Sequence, residues 1–203
     1  MMTYDFQNLT IGEFLKCKTI ADLEDDPLQR KIKLLAAVSK RTEDEIESLS
    51  IEQLTKELKD FDSIETLSQN AKVNMHYKIK GRRFLVIWET QKLTAAQYID
   101  ATYFCKDQAN IVNNIHNILA AISVEKTWYG KLKKYDGTKH KEIADLILNN
   151  MKIKKAYPIL LFFCKYWEEL QKAILTYLEA EVKNQVKSSQ EILNKHFQKD
   201  MGG

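Results

Sequence analysis

One alternating stretch, residues 73–88, constrains the fold of this chain more than any other part of its sequence. Its first half alternates apolar and polar residues, which is the two-residue period of a half-buried β-strand. Gly81 supplies a turn, and the apolar run from Phe84 to Trp88 is typical of a strand covered on both faces. The stretch therefore predicts a β-hairpin at about residues 72–89. Because a lone hairpin is only marginally stable in water, this one must pack on helices or on another subunit.

Most of the remaining sequence carries helix signals. The capping-box pattern, Ser or Thr three residues before Glu or Gln, marks helix starts at Thr10, Thr42, Ser50 and Thr94. Apolar residues at helical spacing also run from Pro158 to about Lys187, which predicts a helix of roughly 40 Å. The predicted fold class is therefore mainly α: a multi-helix domain with one β-hairpin and a long C-terminal helix.

Length and composition favour a single core. The chain has 203 residues, of which 44% are apolar, so residues 1–187 are predicted to form one mainly helical domain that contains the hairpin. Residues 188–203 are polar with a thin apolar stripe, and we expect them to form a C-terminal arm that frays unless neighbouring chains hold it. No apolar run approaches the ~18 residues of a membrane span. We therefore expect a soluble, intracellular chain with no membrane contact.

The sequence offers no pattern that indicates an enzyme. Its six glycines lack the spacing of a phosphate-binding loop, and its adjacent acidic pairs would diverge by about 100° on a helix. Three widely spaced cysteines, Cys17, Cys105 and Cys164, are typical of reduced core residues, and the four histidines show no metal-ligand spacing. We therefore expect no catalytic residue, cofactor or metal.

Charge is distributed unevenly along the chain. Residues 19–71 carry 7 basic and 13 acidic residues, net −6, whereas residues 72–203 carry 22 and 13, net +9. Opposite patches of this kind can orient one copy of the chain head to tail against another. Two independently solvated surfaces would explain the same distribution.

Basic and aromatic residues gather in two segments. The hairpin tip is one, and the other is a predicted long loop at residues 123–141. Cations beside stacking surfaces are typical of nucleic-acid contacts, although a solvated turn or a contact with an acidic subunit also fits. The candidate contacts are Lys78, Lys80, Arg82, Arg83, Trp128, Tyr129, Lys133 and Lys134.

Several segments in order carry a family resemblance. They are the capped helix Thr10–Leu15, the acidic stretch Thr42–Leu54, the KIKGRRF hairpin, LTAAQYIDA, NIHNILAAI, and EIADLILNN leading to KKAYPILLFF. Over Thr10–Phe163 this order resembles the tail-assembly chaperone-like and tail or neck (ring) structural proteins of Bacteroidetes-infecting phages, including the crAss-like phages. The last forty residues depart from the chaperone-like members, which are shorter. An extension of this kind suits a virion subunit that contacts neighbouring subunits.

The resemblance implies a non-enzymatic virion protein that forms a homo-oligomeric ring in a phage tail or neck. Its implied partners are copies of itself, other tail or neck proteins and DNA in a lumen, and its implied location is the virion, after assembly in the host cytoplasm. The alternatives are a tail-assembly chaperone for a tape-measure-like protein and a nucleic-acid-binding protein. The candidate subunit contacts are Leu170, Ile174, Tyr177 and Leu178, for which core packing is the alternative, and Ile192, Leu193 and Phe197 in the C-terminal arm.

Overall fold

A computed structural model describes residues 8–59, 73–107 and 110–200. The described residues are mainly helical, with a small antiparallel sheet and a long C-terminal helix, which confirms the predicted fold class. Short 3-10 segments lie at Thr90–Lys92 and Gly137–Lys139. In chain order the elements are α1 (Ile11–Leu23), α2 (Pro27–Ser39), α3 (Glu43–Glu47), α4 (Ile51–Lys59), β1 (His76–Ile79), β2 (Arg82–Val86), α5 (Ala95–Cys105), α6 (Ile115–Ile122), β3 (Ser123–Lys126), α7 (His140–Asn150) and α8 (Ile153–Asp200).

The predicted helix starts are confirmed by their caps. The hydroxyls of Thr10, Thr42 and Thr94 each accept a hydrogen bond from the backbone N–H three residues on, and the side chain of that residue accepts from the backbone N–H of the threonine. Ser50 and Gln53 make the same reciprocal pair ahead of α4. These bonds satisfy N–H groups that have no partner inside the helix, so each helix begins where the sequence predicts.

The observed hairpin is shorter than the predicted range, residues 72–89, and it belongs to a three-stranded sheet. Strands β1 and β2 pair through a turn at Lys80 and Gly81, both with positive φ (43° and 83°) as the tightest hairpin turns require. Strand β3 pairs with the other edge of β2, which gives the order β1-β2-β3. The prediction of a loop beginning at residue 123 is therefore wrong. Strand β3 makes β2 a central strand, and the third strand stabilises a hairpin that would be only marginally stable alone.

The chain divides into two compact units, residues 1–163 and 164–203. In the first unit, α6 packs between α5 and α7, and α1 contacts both α2 and α7. Fully buried side chains of α6 and the central strand lie in this core, with a second cluster formed by α1, α2 and α3. The core thus holds the sheet against helices, as the hairpin requires.

Helix α8 begins earlier and ends later than predicted. It starts at Ile153, whose backbone N–H donates to the carbonyl of Leu9 at 2.8 Å, and Pro158 lies inside it. Its backbone is helical to Asp200, well beyond Lys187, and 48 residues correspond to about 72 Å. None of the helices in the described part of the chain is long and apolar enough to cross a membrane.

Candidate functional site: the basic sheet face and the Arg82 network

The register of the sheet sorts the candidate contacts onto two faces. Residues that are directly opposite in antiparallel strands point to the same side. Phe84 lies opposite Tyr77 and Glu125, and the Tyr77 hydroxyl donates to the Ser123 hydroxyl at 2.8 Å in a buried contact. Burial raises the pKa of Tyr77, so this hydroxyl stays protonated as a donor. The side of the sheet that carries Tyr77, Phe84 and Glu125 therefore faces the core, and we call it the inner face; the opposite side is the outer face.

The outer face carries a row of cations, one from each strand. Arg83 of the central strand lies opposite Lys78 on β1 and Lys126 on β3. Among the residues that the structure describes, no acidic side chain forms an ion pair with any of these three. Adjacent strands lie about 4.8 Å apart, so the row spans roughly 10 Å. We call Lys78, Arg83 and Lys126 the basic sheet face.

An exposed aromatic turn adjoins this face. The carbonyl of Trp128 accepts a 2.5 Å hydrogen bond from Arg83 Nη2, which ties the turn to the middle of the basic sheet face. The turn closes through Thr127 and Lys131, and Gly130 adopts a φ of 91°. Trp128 is 84% and Tyr129 62% exposed, with their rings edge to face at 5.4 Å. We call residues 127–131 the aromatic turn.

Arg82 belongs to the other face and to a network of its own. Its guanidinium donates to Glu125 at 2.8 Å and to Glu142 at 2.6 Å, and Lys133 pairs with Glu125 at 3.0 Å. The hydrogen bond from Arg82 holds the pKa of Glu125 below its ordinary value, while the same bond raises the pKa of Arg82. The cationic groups of Arg82 and Lys133 are thus neutralised within the fold. The structure therefore separates two residues that the sequence places together at the hairpin tip.

A cleft of about 640 Å³ lies beside this network. Arg82, Glu125, Lys133 and Lys134 are among the side chains that line it. Lys134 is exposed, and Lys80 sits in the hairpin turn. Of the eight predicted partner contacts, the structure therefore brings together Lys78, Arg83, Trp128 and Tyr129. Sequence analysis does not identify Lys126, because it predicts a loop where the structure has strand β3.

Behind the cleft, Tyr135 joins two titratable side chains. Its hydroxyl donates to Asp100 at 2.5 Å, so the hydroxyl oxygen is left to accept from His140 Nδ1 at 3.2 Å. The His140 ring stacks on Phe104, and its Nε2 is buried without a hydrogen-bond partner in the described structure. Protonation of Nε2 would place a charged, unsatisfied donor in the protein interior. Accordingly, burial lowers the pKa of His140, against the opposing effect of Asp100.

These contacts predict a loss of stability in mild acid. Burial also lowers the pKa of His116, with Asp145 opposing and His140 reinforcing the shift. Between about pH 6.5 and the lower folded pKa values, the unfolded chain binds protons that the folded chain does not, so stability falls by up to about 1.4 kcal/mol per histidine per pH unit. We expect the urea midpoint to fall as pH decreases from about 7 to 5, before most carboxyl groups titrate.

A paired set of variants checks this assignment. In the double variant His116→Gln, His140→Gln the difference in urea midpoint between the two pH values should largely disappear. The single variants His116→Gln and His140→Gln should each remove part of that difference. A wild-type midpoint that stays constant down to about pH 5 would contradict the burial of neutral histidines.

The predicted subunit contacts all lie on α8. Leu170 is half-buried, whereas the side chains of Ile174, Tyr177, Leu178, Ile192, Leu193 and Phe197 lie outside the described residues. On the same helix Leu175 and Val182 are each 58% exposed, and seven residues separate them. Two helical turns place them on one side of the helix. Leu161, near the start of α8, is also exposed, at 37%.

No group of three or more His, Cys, Asp or Glu side chains within residues 8–59, 73–107 and 110–200 is arranged to hold a metal ion. All three cysteines are free: Cys17 and Cys105 are buried, as predicted, and Cys164 is half-buried. Burial raises the pKa of Cys17 and of Cys164 to about 11, so both remain thiols near neutral pH.

Comparison with known proteins found no match to this chain among family models, curated proteins or solved structures.

Proposed function

We propose that this chain is a non-enzymatic structural subunit of a phage tail or neck that assembles with its own copies into a ring. One observation supports this most: residues 164–200, the described part of the second unit, form a single helix with Leu175 and Val182 exposed on one side. A single helix has no second element within its unit to cover an apolar stripe. A neighbouring copy would cover it, and a heterologous contact that closes makes a ring.

The uneven charge of the chain supports the same arrangement. The sequence carries net −6 over residues 19–71 and net +9 over residues 72–203, and on the surface of each copy these segments would form patches of opposite sign. Patches of opposite sign favour head-to-tail contacts and oppose contacts between like patches. Such contacts follow one another around a ring.

Oligomeric state and composition of the virion test this proposal. By light scattering the purified chain should be an oligomer, and Leu175→Glu with Val182→Glu should reduce it to a monomer, because charge at a buried contact is strongly unfavourable. Leu23→Glu, a change at a leucine that is 77% exposed on α1, is the matched control and should leave the oligomer intact. A monomeric wild-type chain would contradict the proposal.

Mass spectrometry of purified particles separates a ring subunit from an assembly chaperone. A ring subunit should be present in mature virions in several copies. A chaperone for a tape-measure-like protein should co-purify with that partner from infected cells and be absent from the finished particle. Absence from mature virions would therefore reject the ring and favour the chaperone.

A further inference from the structure

The geometry points to a binding site for single-stranded nucleic acid formed by the basic sheet face and the aromatic turn, independent of any ring. Like charges directly opposite each other in a sheet are destabilising, and the outer face aligns Arg83 between Lys78 and Lys126 without an acidic partner in the described structure. An anion supplied from outside the chain would offset this repulsion, and a surface of one charge sign attracts such an anion. Successive backbone phosphates are an anion of this shape, since they present charges in a row.

The aromatic turn identifies which polyanion fits. Trp128 exposes 84% of its surface, and Arg83 holds the backbone of this residue at the basic sheet face through the 2.5 Å hydrogen bond. An exposed ring next to a phosphate-binding row is the combination that grips single strands, because every unpaired base has a face that can stack. The paired bases of a duplex are stacked on each other and offer no such face. The site therefore favours a single strand over a duplex.

The adjacent arginine gives this proposal its internal control. Arg82 and Arg83 are neighbours in sequence, but the Arg82 guanidinium is held by Glu125 and Glu142 on the opposite side of the sheet. Phosphate binding should therefore depend on Arg83 and be insensitive to Arg82. A diffuse attraction to the net positive charge of the chain would depend on both equally.

Fluorescence anisotropy with a labelled oligothymidylate of about 20 nucleotides tests the site. With about three phosphates neutralised, log K should fall with log salt at a slope of about −2, which is roughly 20-fold weaker binding between about 50 and 200 mM salt. The triple variant Lys78→Ala, Arg83→Ala, Lys126→Ala should lose most of this binding and most of its salt dependence. Thermal melting of the variant should show that it remains folded, because its substitutions relieve like-charge contacts.

A charge-matched variant and the aromatic residue complete the test. Lys16→Ala, Lys56→Ala, Lys154→Ala removes the same charge from three exposed lysines away from this face and should bind as the wild type does. Trp128→Ala should weaken oligothymidylate binding by about 5- to 100-fold, and Trp128→Phe, which keeps a ring, should restore part of it.

Four results would overturn the inference. The first is no binding at about 50 mM salt, and the second is an equal loss of affinity in the triple variant and its charge-matched control. The third is duplex binding as tight as single-strand binding, with no effect of Trp128→Ala. The fourth is displacement of the oligonucleotide by polyglutamate as readily as by unlabelled oligothymidylate. The last result would assign the face to an acidic protein surface.

Discussion

Phe84→Ala should lower the free energy of unfolding by about 3–5 kcal/mol, the largest loss we expect from any single change in the sheet. Phe84 is fully buried at the centre of the middle strand, and its ring stacks on Tyr77 with centroids 5.1 Å apart. Truncation removes apolar area from the core and leaves a cavity on the inner face of the sheet. Backbone hydrogen bonds hold the strands in place, so the site can collapse only in part. Thermal melting should show the midpoint falling by roughly 6–20 °C.

The neighbouring position provides the control. Leu85 points to the outer face and is half-buried, so Leu85→Ala should lower stability by only about 1 kcal/mol. Two residues of similar hydrophobicity on the same strand would then differ several-fold in effect because of the face they occupy. Equal losses at the two positions would contradict the register of the sheet.

Local signals allowed most of the helices to be predicted, because a capping box is a contact between residues three apart. Thr10, Thr42 and Thr94 each make the hydrogen bonds that their sequence context predicts. Strand β3 depends instead on pairing with β2, more than 35 residues earlier in the chain, and its four residues include only one apolar side chain, Val124. A usable signal lay in β2, whose apolar residues on both faces are typical of a central strand.

The start of α8 was misplaced because proline is favourable in the first turn of a helix, which made Pro158 the expected beginning. The structure places it in the second turn, where one intrahelical hydrogen bond is lost. Burial of Ile153, Ala156, Ile159 and Leu160, at helical spacing on both sides of the proline, offsets that loss. Tertiary packing thus outweighs a local preference that sequence analysis can detect.

The candidate site could be predicted in part. The sequence indicates two separate basic and aromatic segments, and the hydrogen bond from Arg83 to the Trp128 carbonyl, which joins them, depends on the folded chain. Sequence analysis could not separate Arg82 from Arg83, because the face on which each side chain lies depends on the strand register. It also could not supply Glu125 and Glu142, which come from segments 43 and 60 residues away. Those two carboxylates decide which arginine remains available to an external partner.

Arg82→Ala should lower the free energy of unfolding by about 1–3 kcal/mol, although Arg82 is a charged residue of a hairpin. The change removes two charge-assisted hydrogen bonds and leaves Glu125, whose side chain is only 16% exposed, with Lys133 as its remaining cationic partner in the described structure. An underpaired carboxylate that is largely shielded from water is more destabilising than the loss of an exposed ion pair. Urea denaturation at neutral pH measures the difference.

The pH dependence of this destabilisation tests whether Glu125 is the carboxylate that causes it. Because the folded pKa of Glu125 is depressed, its stabilising contribution is present above the unfolded value of about 4.5 and is lost as pH falls through the folded pKa. The gap between wild type and Arg82→Ala should therefore narrow as pH decreases below about 4.5. Arg82→Lys keeps the charge but cannot bridge two carboxylates with a planar fork. Its free energy of unfolding should therefore lie between those of the wild type and Arg82→Ala.

Arg83→Ala is the matched control, one residue away on the same strand. Its guanidinium is exposed and lies between two other cations, and the hydrogen bond that it donates to the Trp128 carbonyl is exposed too, so its removal should change stability by less than about 1 kcal/mol. In the oligothymidylate experiment the relative size of the two effects should reverse: Arg83→Ala should weaken binding, and Arg82→Ala should leave it unchanged. If both substitutions alter stability and binding to the same extent, then the two arginines do not occupy opposite faces and the assignment of the basic sheet face is wrong.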